Sequence, residues 1–178
     1  MNKKRIQQIK CLFTLFFVVC ASFYATRSYA QNNAVTIRLS GVSMERVMNE
    51  IINPTVKAMK EAGIRSFVAT SKPQVHAEAI CQKFGIAPYV EAIAGPAVGG
   101  TDTKADVMRR ILAGLGPVEK GDAVMVGDRR FDVIGAHELG LPVIYVTYGY
   151  GNEAERKAFQ PDYTAATVGD LKQLLLQA

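Results

Sequence analysis

Acidic residues are missing from the first thirty positions, and that absence governs how the charge of the chain is read. The 178 residues carry a formal net charge of +5. Residues 1–30 hold the basic side chains Lys3, Lys4, Arg5, Lys10 and Arg27, so these five account for the whole excess and the remainder is formally neutral. The folded part therefore offers no electrostatic case for a nucleic-acid partner. Cysteine is also scarce. Cys11 and Cys20 lie in the N-terminal stretch, so Cys81 stands alone once that stretch is removed, which excludes an intramolecular disulfide. Cys81 occupies a helix-like apolar position in "AEAICQKFGI", as a buried structural thiol does. No internal repeat or low-complexity tract is present. What remains is a chain that is 49% hydrophobic, with enough apolar material for one domain of ordinary size plus extras.

The N-terminus has three parts. "MNKKRIQQIK" is basic, "CLFTLFFVVCASFYA" is apolar, and "SYA" before Gln31 places small residues at Ser28 and Ala30. This is the layout of a secretory signal peptide over residues 1–30, and it predicts export to the periplasm or outer membrane. The apolar part is short for a membrane span, which needs about 20 such residues, so no stable span is expected after cleavage. An uncleaved anchor is the alternative. Bulky Val19 before Cys20 argues against lipidation.

In "AVTIRLSGVSMERVMNEI", Val35, Ile37 and Leu39 alternate with Thr36 and Arg38, which predicts a strand with one wet face; Ser43 then opens a helix. With the leader, this segment (31–52) resembles the start of the small N-terminal domain of TonB-dependent outer-membrane receptors of the SusC type. From Asn53 the pattern changes. "NPTVKAMKEAG", "KPQVHAEAICQKFG", "KADVMRRILAGLG" and "RRFDVIGAHELG" read as helices, and "IRSFVAT", "VEAIAG", "DAVMVG" and "PVIYVTYG" as strands. A polar loop and a final helix follow. Such alternation predicts an α/β fold with a parallel sheet flanked by helices, and ligands bind at the carboxyl ends of such strands.

Three of those strand ends carry chemistry. Thr70 closes "SFVAT", and with Ser71 it either holds a phosphate at the next helix or caps that helix, with Pro73 as its first residue. Lys104 lies in "TDTKADV", where Thr103 and Asp106 have capping-box spacing. It is either a surface lysine or a partner for a phosphate, since a cation in a first helical turn otherwise opposes the helix dipole. Asp128 and Asp132, in "VMVGDRRFDV", stand four residues apart beside Gly127 at the end of the most hydrophobic strand. They read as ligands of a hard cation such as Mg²⁺, against an N-cap and a solvated helix residue. Arg129 and Arg130 read as solvated or paired.

The ordered set "VATSKP", Lys104, "VMVGDRRFD" resembles the haloacid dehalogenase (HAD)-like hydrolase superfamily, in its phosphoglycolate-phosphatase-like branch with nucleotidase relatives. The resemblance runs from about Pro54 to the C-terminus, and it makes residues 53–178 the hydrolase-like core. It implies a Rossmann-type core, Mg²⁺ as cofactor and a small phosphorylated substrate. By it Thr70 and Ser71 bind phosphate, Lys104 steadies nucleophile and phosphate, Asp128 holds the metal and Asp132 supports it. Family chemistry is phosphoryl transfer to an aspartate followed by hydrolysis. That aspartate belongs to an Asp-x-Asp motif on a strand lying between "SFVAT" and "AVMVG", ahead of everything above. The first aspartate in this chain is Asp102. The resemblance thus implies a core that lacks its first-motif strand and its helical cap domain, and a Mg²⁺-dependent phosphatase that is inactive by itself. The alternatives are a non-catalytic phosphate- or metal-binding module and an exported fragment of a receptor. In the half-empty sheet so expected, the strands beside the gap are left unpaired, and "AVTIRL", with Thr36 and Arg38, is ill suited to a central position apolar on both faces.

Overall fold

The computed structural model describes residues 11–13, 53–116, 118 and 122–176. In chain order the elements are β1 (Cys11–Phe13), α1 (Asn53–Glu61), β2 (Arg65–Ala69), α2 (Gln74–Lys83), β3 (Ala92–Ala94), α3 (Lys104–Ala113) and β4 (Ala123–Gly127). They continue with α4 (Arg130–Glu138), β5 (Val143–Val146), α5 (Glu153–Phe159), β6 (Tyr163–Ala165) and α6 (Val168–Leu176). The strands form one parallel sheet in the order β3-β2-β1-β4-β5-β6.

Side-chain alternation along the strands assigns the two faces. From β4, Ala123 and Met125 join Phe67, Val107, Met108, Val133 and Tyr145 in a core beneath α3 and α4. Val124 and Val126 point the other way, into a core with Met59, Ile144, Leu171 and Leu175 beneath α1 and α6. On that second face Val68 packs with Val56, Ile80 and Cys81 beneath α1 and α2. Strands buried on both faces are near-continuous apolar runs, as β4 is. Cys81 is fully buried. Among the described residues no helix is long and apolar enough to cross a membrane.

Two expectations need correction. The sheet position between β2 and β4 is occupied: Cys11–Phe13 pairs with both neighbours, Cys11 opposite Arg65 and Ala123, Phe13 opposite Phe67 and Met125. The reason is the one that told against "AVTIRL". A central parallel strand must be apolar on both faces, and Cys11, Leu12 and Phe13 are apolar in succession. The gap is therefore filled by part of the stretch read as a leader, although no Asp-x-Asp motif comes with it. The second correction concerns the polar loop before the last helix, which contains α5 and the edge strand β6. No residue of α5 is buried, so it shows no apolar period, and β6 is only 3 residues long. The strand expected at residues 35–39 and the helix expected from Ser43 lie outside the described residues.

The described pairing of β1 stops at Phe13, while β2 continues to Ala69 and β4 to Gly127. If β1 completes the sheet, Leu12→Pro removes a central ladder donor and leaves buried carbonyls unpaired, at about 1–3 kcal/mol each. The urea midpoint of the full chain is expected to fall markedly, and a chain of residues 31–178 to fall at least as far. An unchanged midpoint in both would show that β1 contributes nothing.

Candidate functional site

The carboxyl ends of β2 and β4, with the first turns of α3 and α4, bring Thr70, Lys104, Asp128 and Asp132 to one end of the sheet. All four are buried, with exposures of 1%, 5%, 0% and 1%. Ser71 is exposed.

Lys104 begins α3, whose start is fixed by the expected capping box between Thr103 and Asp106. The surface reading of Lys104 does not hold. Its Nζ donates to the carbonyl of Ala69 at 2.9 Å and lies 3.0 Å from Asp132 Oδ1. A buried ammonium needs such partners, because its desolvation is otherwise uncompensated. The capping reading of Thr70 and Ser71 is likewise corrected. Pro73, not the first helical residue, is the N-cap of α2, and no side chain caps it. Thr70 Oγ1 accepts instead from the Lys72 amide at 3.2 Å, a local turn that leaves its O–H able to donate toward the mouth. The Thr70 amide is held by the carbonyl of Ala94 at 2.9 Å.

Asp132 organises the turn between β4 and α4. Its Oδ2 accepts from the amides of Asp128 (3.2 Å) and Arg129 (3.1 Å), while Oδ1 faces Lys104. Both oxygens are thus engaged. Gly127 is required here by close approach: a Cβ at that position would lie 2.4 Å from Asp132 Cγ.

Asp128 differs. Its Oδ2 accepts from the Tyr150 amide at 2.5 Å, while Oδ1 is buried and has no hydrogen-bond partner. A buried carboxylate oxygen without a donor is where a cation fits best. Burial pushes its carboxyl up to about 6, the Tyr150 amide pulling it down and the neighbouring Asp132 charge adding to the rise. Gly149 closes over it, since a Cβ there would meet Asp128 Oδ2 at 2.3 Å. The Tyr150 amide and the Gly149 contact carry no sequence signal of their own. Among the described residues no group of three or more His, Cys, Asp or Glu is clustered as a metal site. The site pairs one free carboxylate oxygen with a lysine and a hydroxyl.

Because the carboxyl of Asp128 titrates higher in the folded chain than in the unfolded one, folding favours its neutral form. Stability is lost as pH rises from about 4 through about 6, by about 3 kcal/mol. Asp128→Asn in metal-free protein is expected to raise the urea stability at pH 7.5 by up to that amount, and to change it little at pH 4. An equal effect at both pH values would contradict the burial account. Lys104→Met leaves Asp132 unpaired and is expected to cost about 3–5 kcal/mol in the same measurement.

A family model described as haloacid dehalogenase-like hydrolase matches residues 24–140. A 5'-nucleotidase of Pseudomonas aeruginosa is 35% identical over 139 residues, covering 78% of this chain and 62% of that protein. The tyrosine-protein kinase PtkA of Mycobacterium tuberculosis is 37% identical over 127 residues, covering 70% of this chain and 43% of that protein. The chain therefore spans about half the length of these relatives. A phosphoglycolate phosphatase of Rhodospirillum rubrum is 36% identical over 97 residues. Among solved structures, a predicted phosphatase from Clostridium acetobutylicum superposes with a TM-score of 0.73 at 25% identity, covering 96% of this chain and 99% of that one.

Proposed function

The chain belongs to the haloacid dehalogenase-like hydrolase family, and from that premise we propose that it binds Mg²⁺ and the phosphate group of a small phosphate monoester of the phosphoglycolate or nucleotide type, with little or no turnover of its own. One observation carries the reading: Thr70 at the carboxyl end of β2, Asp128 at that of β4 and Lys104 in the first turn of α3 are all buried at one end of the sheet, with Asp128 Oδ1 left unsatisfied. Asp128 would hold the cation, which when bound neutralises charge on the phosphate oxygens. Asp132 acts behind it, holding the Asp128 and Arg129 amides and Lys104. Lys104 presents an ammonium to the phosphate from between Ala69 and Asp132, and the Thr70 hydroxyl donates to it. No aspartate precedes Asp102 to accept the phosphoryl group. On this reading the phosphate is held and not transferred.

The same reading divides the chain into residues 1–30, 31–52 and 53–178, although the family match begins at residue 24 and takes in the middle segment. Export through residues 1–30 remains a second proposal. It places a demand on the fold, because cleavage after Ala30 would carry away the residues of β1. A receptor-like role for residues 31–52 has no supporting relative among these matches.

The full chain with Mg²⁺ and a generic phosphate monoester is expected to show no turnover. Calorimetry is expected to show Mg²⁺-dependent binding of inorganic phosphate, which Asp128→Ala abolishes. Turnover lost on Asp128→Ala would sink the inactive reading, and no binding at millimolar phosphate would sink the binding one.

A further inference from the structure

Glu155 has no role in the site so far, yet it touches the turn that carries Asp128. It stands in the first turn of α5, where the Asn152 side chain caps the helix by accepting from the Glu155 amide at 2.8 Å. The side chains of its helix neighbours Glu153 and Lys157 are 67% and 69% exposed and pair with each other; that of Glu155 is 11% exposed. Its Oε1 accepts from the backbone amide of Arg130 and from Arg129 Nε at 3.3 Å.

Three successive amides, those of Asp128, Arg129 and Arg130, are thus held by two carboxylates. Asp132 takes the first two and Glu155 the third. The segment from Gly149 to Glu155 is fastened to this turn at both ends. At one end the Tyr150 amide grips Asp128 Oδ2. There Gly151 also lies so close that a Cβ would meet the Asp128 carbonyl at 1.9 Å. At the other end Glu155 grips the start of α4. With Oδ2 and the backbone fixed, the direction of the free Oδ1 is fixed as well. Glu155 also compensates the guanidinium of Arg129, a positive charge next in sequence to Asp128 that opposes any cation there.

We infer that Glu155 is a positioning residue for the cation site, holding Asp128 Oδ1 in register through the Arg130 amide and neutralising Arg129. The inference rests on the proposed cation-binding role of Asp128. A carboxylate accepting from a helix-terminal amide and from a guanidinium makes strong, charge-assisted bonds, so their loss is expected to weaken Mn²⁺ binding about tenfold.

The test titrates Mn²⁺ into the full chain, read by calorimetry and by electron paramagnetic resonance of the free ion. Glu155→Ala is expected to weaken binding about tenfold. Glu155→Gln, which keeps the acceptor oxygen and loses the charge, should fall between it and wild type. Glu153→Gln on the same helix should leave binding unchanged. Adding Arg129→Gln to Glu155→Gln should restore part of the lost affinity, which a merely structural role would not do. If Glu155→Ala fails to fold, Glu155→Gln and its double variant carry the test. Binding that Asp128→Asn abolishes but the Glu155 variants leave within about twofold overturns this inference alone. A wild-type chain that binds no Mn²⁺ overturns the cation reading and this inference together.

Discussion

The buried ion pair between Lys104 and Asp132 is the interaction on which the mouth of the sheet depends. It joins the first turn of α3 to the first turn of α4, and through the Ala69 carbonyl it reaches the end of β2. Neither charge would be tolerated at this depth alone, because desolvation of an unpaired ion outweighs anything the surrounding apolar core returns. The pair therefore holds three elements to one spacing. It also leaves both partners with fixed orientation.

Around that pair the other groups are disposed by what they lack. Asp132 has its donors and is spent on structure. Asp128 has one donor and one bare oxygen, and its burial without compensation works against the fold. Strain of this kind persists only where the surroundings enforce it, and here two glycines and a carboxylate from the loop and helix after β5 do so. On the proposed reading, a bound cation would offset that cost.

Much of this was legible in the residues. The apolar runs of β2, β4 and β5 and the glycine and proline boundaries announce the parallel sheet, and Thr70, Lys104, Asp128 and Asp132 are found together where strand-end chemistry places them. The capping box at Thr103 follows from spacing alone. Other features were not readable. The basic-apolar-small pattern of residues 1–30 matches an export leader, and a three-residue strand inside it has the same composition as the leader itself. Helix α5 buries no side chain fully, so periodicity is silent about it. Tyr150 and Glu155 act through a backbone amide and a long-range hydrogen bond, and neither leaves a trace in local sequence.

The place of β1 has a temporal side. Its partners follow it in the chain by more than fifty residues on one side and more than a hundred on the other. Such pairings raise contact order, and loop-closure entropy must be met before they return anything. One edge of β1 can be closed by β2, but the other stays open until β4 is in place. Until then an apolar strand keeps one unpaired edge, the feature that makes partly folded chains prone to association. Closing that second edge is then the step that completes the sheet.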